Sequence, residues 1–149
     1  MQNEATAGSR ILALDLGARR IGLALSDPLG LTAQGLPTLI RTNRRKDLEA
    51  LARLVAERQV SRIIVGYPLD MSGREGTQAA AARRFAQELA RVTGVCVELH
   101  DERLTTAQAQ RLLRSSGVSL RKRTRAVDRL AAVLILQNYL ESRAAGAGG

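Results

Sequence analysis

One cysteine, Cys96, and one histidine, His100, stand in the whole chain. Neither a disulfide nor a Cys/His zinc site can therefore form within it. Tryptophan is absent, and Phe85, Tyr67 and Tyr139 are the only aromatic residues, which argues against a surface that binds single strands by stacking bases on aromatic rings. Long hydrophobic runs are missing too. The longest purely apolar stretch is 130–136, far short of the roughly 18 residues a membrane-spanning helix needs. The opening MQNEATAGSR lacks the charged-then-apolar order of a signal peptide, so a cytoplasmic protein is expected. Acidic residues are few, 14 against 23 basic ones.

What is present suits one domain. The 149 residues are 45% hydrophobic and 25% charged, which excludes disorder over the whole length. A domain of this size buries roughly 70% of the surface its unfolded chain exposes. The net charge of +9 favours an anionic partner such as nucleic acid. Arginine supplies 21 of the 23 bases, and its planar fork grips phosphate oxygens bidentately. A GC-rich coding sequence also replaces Lys with Arg, so composition alone leaves both explanations open.

Residues 1–9 and 144–149 are small, polar or Gly-rich and read as disordered ends around a domain at 10–143. RILALDL (10–16) and RIGLALS (20–26) are β-prone runs joined by three residues, a hairpin spacing. A third strand is expected between 31 and 40. Thr42-Asn43 offers an N-cap, and Leu48, Leu51, Ala52 and Val55 form one face of a helix ending near Glu57. RIIVG (62–66) reads as a buried strand and 67–76, with Pro68, Gly73 and Gly76, as a loop. A helix over 77–92 buries Ala82, Phe85, Ala86 and Leu89 and stops at Gly94. A strand at 95–99 follows, with Cys96 in the core and His100 exposed at its end. A short helix capped by Thr105 or Thr106 runs to Arg114, then a basic loop, GVSLRKRT (117–124). The last helix, 126–142, is apolar over most of its circumference and should be largely buried. The order describes an α/β fold: a five-stranded mixed sheet flanked by helices.

Most carboxylates sit where solvated charges belong, as Glu49, Glu57, Glu88 and Glu141 do. Asp15 differs, because it interrupts an apolar strand, where a carboxylate costs free energy unless a metal or a donor compensates it. Asp128 lies in the most apolar helix, with Arg125 and Arg129 near enough for a plain ion pair. Asp101 and Glu102 sit where a strand ends, the usual ligand edge of an open sheet, although turns use the same residues. Carboxylates on the first strand, at the end of a later strand and on the final helix can converge on a hard cation, Mg²⁺ or Mn²⁺. Such an ion is the usual remedy for a phosphodiester, whose own charge repels hydroxide. Seven basic residues stand in 19 positions, Arg111, Arg114, Arg121, Lys122, Arg123, Arg125 and Arg129, as a phosphate clamp or as solvated helix faces. Gly73 and Gly76 either let the chain turn or let backbone N–H groups and the following helix end approach a phosphate.

Four motifs occur in order: DLGARRIG from Asp15, ending in Ser26-Asp27; GYPLDMSGREG from Gly66; DERLTT from Asp101; and VDRLAA from Val127. Together, over about 10–142, they resemble the YqgF (RuvX) family. The resemblance implies a ribonuclease H-like fold related to RuvC resolvases. It also implies Asp15, Glu102 and Asp128 as catalytic, metal-binding carboxylates. The one small departure is Arg19, where Lys is frequent. The expected function is metal-dependent hydrolysis of phosphodiester bonds in structured nucleic acid, processing the 5′ end of pre-16S ribosomal RNA. The alternatives are a Holliday junction resolvase acting on branched DNA and a binding module that does not cut. The nucleic-acid contacts expected are Arg19, Arg20, Arg103, Arg121, Lys122, Arg123, Arg125, Gly73 and Gly76, in a monomer or a homodimer. DLGARRIG also looks like the first phosphate loop of the sugar kinase and actin superfamily, whose ATPases need two such domains where 149 residues supply one.

Overall fold

Burial on both faces marks the first strand as central: in β1, Arg10–Leu16, the five inner residues are all buried. A hairpin leads into β2, Arg20–Ser26, and an antiparallel return into β3, Ala33–Ile40. The chain then forms α1, Arg44–Glu57; β4, Val60–Tyr67; α2, Thr77–Thr93; β5, Cys96–Asp101; a 3₁₀ turn, Glu102–Leu104; and α3, Arg121–Gly148. This computed structural model describes residues 10–104 and 121–148, with side chains over 10–103 and 129–144. The short helix expected from Thr105 or Thr106 to Arg114, and the first part of the basic loop, lie outside the described residues.

The strands form one sheet in the order β3-β2-β1-β4-β5, with β4 parallel to β1 and β5 parallel to β4. The expected mixed sheet with an antiparallel leading meander is what the chain builds. Strand alternation divides the core in two. Leu12, Leu14, Ile21, Leu23, Ile63 and Val65 face α1 and α2, meeting Leu48, Leu51, Val55, Phe85 and Leu89. Ile11, Ala13, Ala24 and Ile64 face α3, meeting Ala131, Ala132, Ile135 and Leu136. The α3 side is thus lined largely by small residues, which lets that helix lie close to the sheet. Position 35 shows how close, since a Cβ there would stand 2.6 Å from Arg129 Cγ.

Local signals act as the sequence suggests where α1 begins and α2 ends. Asn43 caps α1 by accepting from the Lys46 N–H at 2.9 Å. Gly94 ends α2 at φ 75°, a left-handed conformation that glycine adopts without steric cost.

Four expectations are corrected. Arg121, Lys122 and Arg123 lie in the first turn of α3 and not in a loop ending at 124, with Arg125 following in the same helix. Arginine and lysine propagate a helix well, so the cue from Gly117 extends less far than a run of charge suggests. The helix buries a single stripe, while Arg129, Leu130, Gln137 and 141–144 are exposed, because only one side of it meets the sheet. Cys96 is exposed because β5 is an edge strand. His100 is half-buried, and its Nε2 meets Asn138 Oδ1 at 2.8 Å.

Candidate active site

Asp15 reaches the α3 side of the sheet because it shares the parity of Ile11 and Ala13 on β1. It is 1% exposed. Its neighbour across β2 is Gly22. On the other side the register Leu14↔Val65, carried one residue further, sets Gly66 beside it. Glycine thus flanks the carboxylate-bearing position on both strands.

Glu102 begins the turn after β5 and is fully buried. Its Oε2 lies 2.8 Å from the point a Cβ on Gly66 would occupy, and Ile135 Cδ1 of α3 lies 2.9 Å from the same point. The missing Gly66 side chain is therefore the space that Glu102 fills. Neighbouring strands stand about 4.8 Å apart, so the second carboxylate is held one strand away from the Asp15 lane. Gly66 is the functional residue that the sequence hides. It closes the strand expected at 62–66 and lies within β4, where a glycine in an apolar strand is a recognised sign of close approach.

Two buried carboxylates brought to adjacent lanes repel one another, and as hard oxygen donors they fit a divalent cation that offsets the repulsion. The third expected acid, Asp128, belongs to α3 three, four and seven residues before Ala131, Ala132 and Ile135, so its position continues the stripe that packs on the sheet. Its side chain lies outside the described residues. Among those described, no group of three or more metal-ligating side chains closes on one point.

Asp101, next to Glu102, is engaged elsewhere. Its carboxylate takes Arg103 Nη2 at 2.7 Å and Nε at 3.1 Å, and the Arg103 guanidinium holds its pKa below the ordinary value. Arg103 in turn lies against the loop after β4: a Cβ on Gly73, whose φ is 88°, would come within 3.2 Å of its Nη1. That loop is tightly tied. Asp70 Oδ1 accepts from the Ser72 and Arg74 N–H groups at 2.9 and 2.8 Å and from Ser72 Oγ at 2.6 Å. Glu75 is gripped by Arg83 at 2.7 Å and by the Tyr67 hydroxyl at 2.6 Å. Those two donors, Arg83 first, pull the Glu75 pKa from 4.5 to about 2. Gly76 caps α2 with no side chain, and open space surrounds its Cβ position.

Arg19 is exposed at the hairpin tip, three residues past Leu16, and Arg20 is half-buried at the start of β2. The structure thus gathers Asp15, Glu102, Arg19, Arg20, Arg103 and the Gly73 loop at the carboxyl edge of β1, β4 and β5. The side chains of Arg121, Lys122, Arg123 and Arg125 are outside the described residues. Asp27 and Ser26, which close the first motif, are instead structural: Asp27 accepts from the N–H groups of Leu29, Leu31 and Thr32 in the β2–β3 turn, and Ser26 Oγ accepts from the Ile11 N–H at 2.9 Å.

Residues 9–142 match a family model described as RuvX, Holliday junction resolvase. A protein of Koribacter versatilis named "Putative pre-16S rRNA nuclease" is 50% identical over 143 residues, covering 96% of this chain and 94% of its own. One of the same name from Syntrophus aciditrophicus is 51% identical over 133 residues, 89% of each chain. Among solved structures, RuvC of Thermus thermophilus in complex with a Holliday junction substrate superposes with a TM-score of 0.56 at 14% identity, covering 91% of this chain and 96% of that one. At that identity the likeness speaks for the fold alone.

Proposed function

We propose, since this chain belongs to the RuvX family, that it is a metal-dependent endonuclease hydrolysing phosphodiester bonds of structured nucleic acid, with the 5′ end of pre-16S ribosomal RNA as its substrate. The observation that carries the reading is the pair of buried carboxylates on neighbouring lanes of the sheet, Asp15 on β1 and Glu102 in the space over Gly66 of β4. The names of relatives near 50% identity support the substrate.

Asp15, Glu102 and Asp128 would hold Mg²⁺ or Mn²⁺. Such an ion lowers the pKa of water and neutralises charge that develops on phosphate. The chain's own residues supply position. Asp15 is fixed by strand pairing on both sides, so its carboxylate is the least adjustable of the three. Glu102 is clamped between β4 and Ile135. Arg19, Arg20 and Arg103 stand around this edge as phosphate partners, and Gly73 and Gly76 keep the loop before α2 open to backbone approach. Arg121, Lys122, Arg123 and Arg125, on the first turns of the helix that carries Asp128, are further phosphate partners in this reading.

The family description favours one second reading, resolution of a four-way DNA junction. A cleavage panel decides between them: labelled precursor RNA spanning the mature 16S 5′ end, and a labelled four-way DNA junction, each with Mg²⁺ or Mn²⁺. The RNA should be cut and the junction left whole, and Asp15→Asn should slow cutting by more than about 100-fold, the upper range for losing a group that merely supports the ligands. Junction cutting alone would establish the second reading. Binding without cutting of either substrate would make the protein a binding module.

A further inference from the structure

A second site lies on the other side of the hairpin. A groove of about 500 Å³ opens between residues 18–19 and the start of α1, walled by Arg19, Arg41, Thr42, Asn43, Arg44 and Asp47. Three arginines and one carboxylate line it. Asp47 is almost wholly buried and already engaged, accepting from the Thr42 N–H at 3.1 Å and from Arg41 Nε at 3.4 Å.

Arg41 is held on three sides. Its Nη1 donates to the Gly17 carbonyl at 2.8 Å, its Nε to Asp47, and its guanidinium carbon stands 5.7 Å from the centre of the Phe85 ring. Arg44 leans on Glu88 at 2.6 Å while its side chain stays 52% exposed. Arg19 is exposed and forms no ion pair among the described residues. A guanidinium carries five N–H donors in a rigid fork, so Arg41 and Arg44 retain donors after these bonds and Arg19 brings a whole charge. The end of α1 is not the anchor, because its Lys46 and Asp47 N–H groups are taken by Asn43 Oδ1 and Asn43 O.

The groove is also tied to the acidic corner. The Arg41 N–H donates to the Arg19 carbonyl at 2.9 Å, and Arg41 Nη1 holds Gly17, two residues after Asp15. From Asp15 to Arg19 the chain spans at most about 14 Å. We propose that this groove is a second phosphate subsite, which takes a phosphodiester of the same nucleic acid that presents its scissile bond to Asp15 and Glu102. The proposal rests on the nuclease reading. In it Arg19 and Arg44 contact the phosphate, and Arg41 fixes the hairpin between the two sites.

The test is binding in EDTA, where cleavage is silent. Fluorescence anisotropy over a salt series is measured with a labelled RNA hairpin bearing a 5′ single-stranded extension and with a labelled four-way DNA junction. Arg44→Ala, which removes the arginine that belongs to the groove alone, should lower the slope of log affinity against log salt by about 1, as expected for one arginine removed from a phosphate. Arg53→Ala, a single charge removed further along α1 and outside the groove, should leave the slope unaltered. A wild-type slope in Arg44→Ala, or a comparable fall in slope in Arg53→Ala, overturns the subsite. Cleavage by the wild-type protein with Mn²⁺ is measured beside it, so that failure to cut counts against the nuclease reading while the slopes judge the groove by themselves.

Discussion

At Gly66 a single methyl group would occupy the space of the Glu102 carboxylate and of Ile135. Both neighbours are buried in a close-packed core and have little room to yield. Gly66→Ala should therefore destabilise the protein by about 1–3 kcal/mol, as overpacking does, and reduce cleavage beyond what that destabilisation explains by displacing Glu102. Chemical denaturation and single-turnover cleavage at a temperature where the variant is fully folded check the two parts. Wild-type activity would show that Glu102 is not held at the reacting centre through this gap. Asp15 was legible in the sequence as a charge inside an apolar run, whereas Gly66 was not, since the partner that needs its space lies 36 positions further along and beyond another strand. Asp47 was hidden for a similar reason. An acid in the first turn of a helix is ordinary, and only the fold brings Arg41 onto it.

Among the elements, the loop between β4 and α2 owes its shape to charge. Glu75 is bound by Arg83 and Tyr67 and titrates at about 2 in place of 4.5. A lowered carboxylate pKa means the stabilisation is complete above the ordinary value and disappears as pH falls from 4.5 through about 2. Carboxyl NMR should place the Glu75 midpoint near 2, and Arg83→Ala should return it toward 4.5. A wild-type midpoint near 4.5 would mean that the loop is not held this way. The strands and the first two helices were legible because their apolar periods are regular and their caps, Asn43 and Gly94, carry known chemistry. The start of α3 was not, since the charged run before Ala126 suits a helix surface and a loop equally well. Nor was the exposure of Cys96, which depends on β5 lying at the sheet edge, a matter of strand order and not of local sequence.

For the whole molecule, the net charge of +9 and the buried acids Asp15 and Glu102 describe opposite needs. In the proposed function the outer surface would attract a polyanion, while the corner below it would attract a cation. No helix among the described residues is long and apolar enough to cross a membrane, and on the proposed function the basic surface would meet nucleic acid. Binding should weaken steeply with salt for every sequence alike, and anisotropy with unrelated RNA hairpins would detect any departure. Whether Asp15 belongs to a cation site that performs hydrolysis is decided by calorimetric titration of Mn²⁺ into wild-type protein and Asp15→Asn, run beside a thermal scan without metal. The amide keeps the shape of the side chain and removes its charge, so it should abolish or sharply weaken Mn²⁺ binding while relieving repulsion with Glu102. The expected result is the loss of Mn²⁺ binding with an equal or higher Tm. Undiminished Mn²⁺ affinity in a folded Asp15→Asn would contradict it, and a variant that merely unfolds would make Asp15 a structural residue.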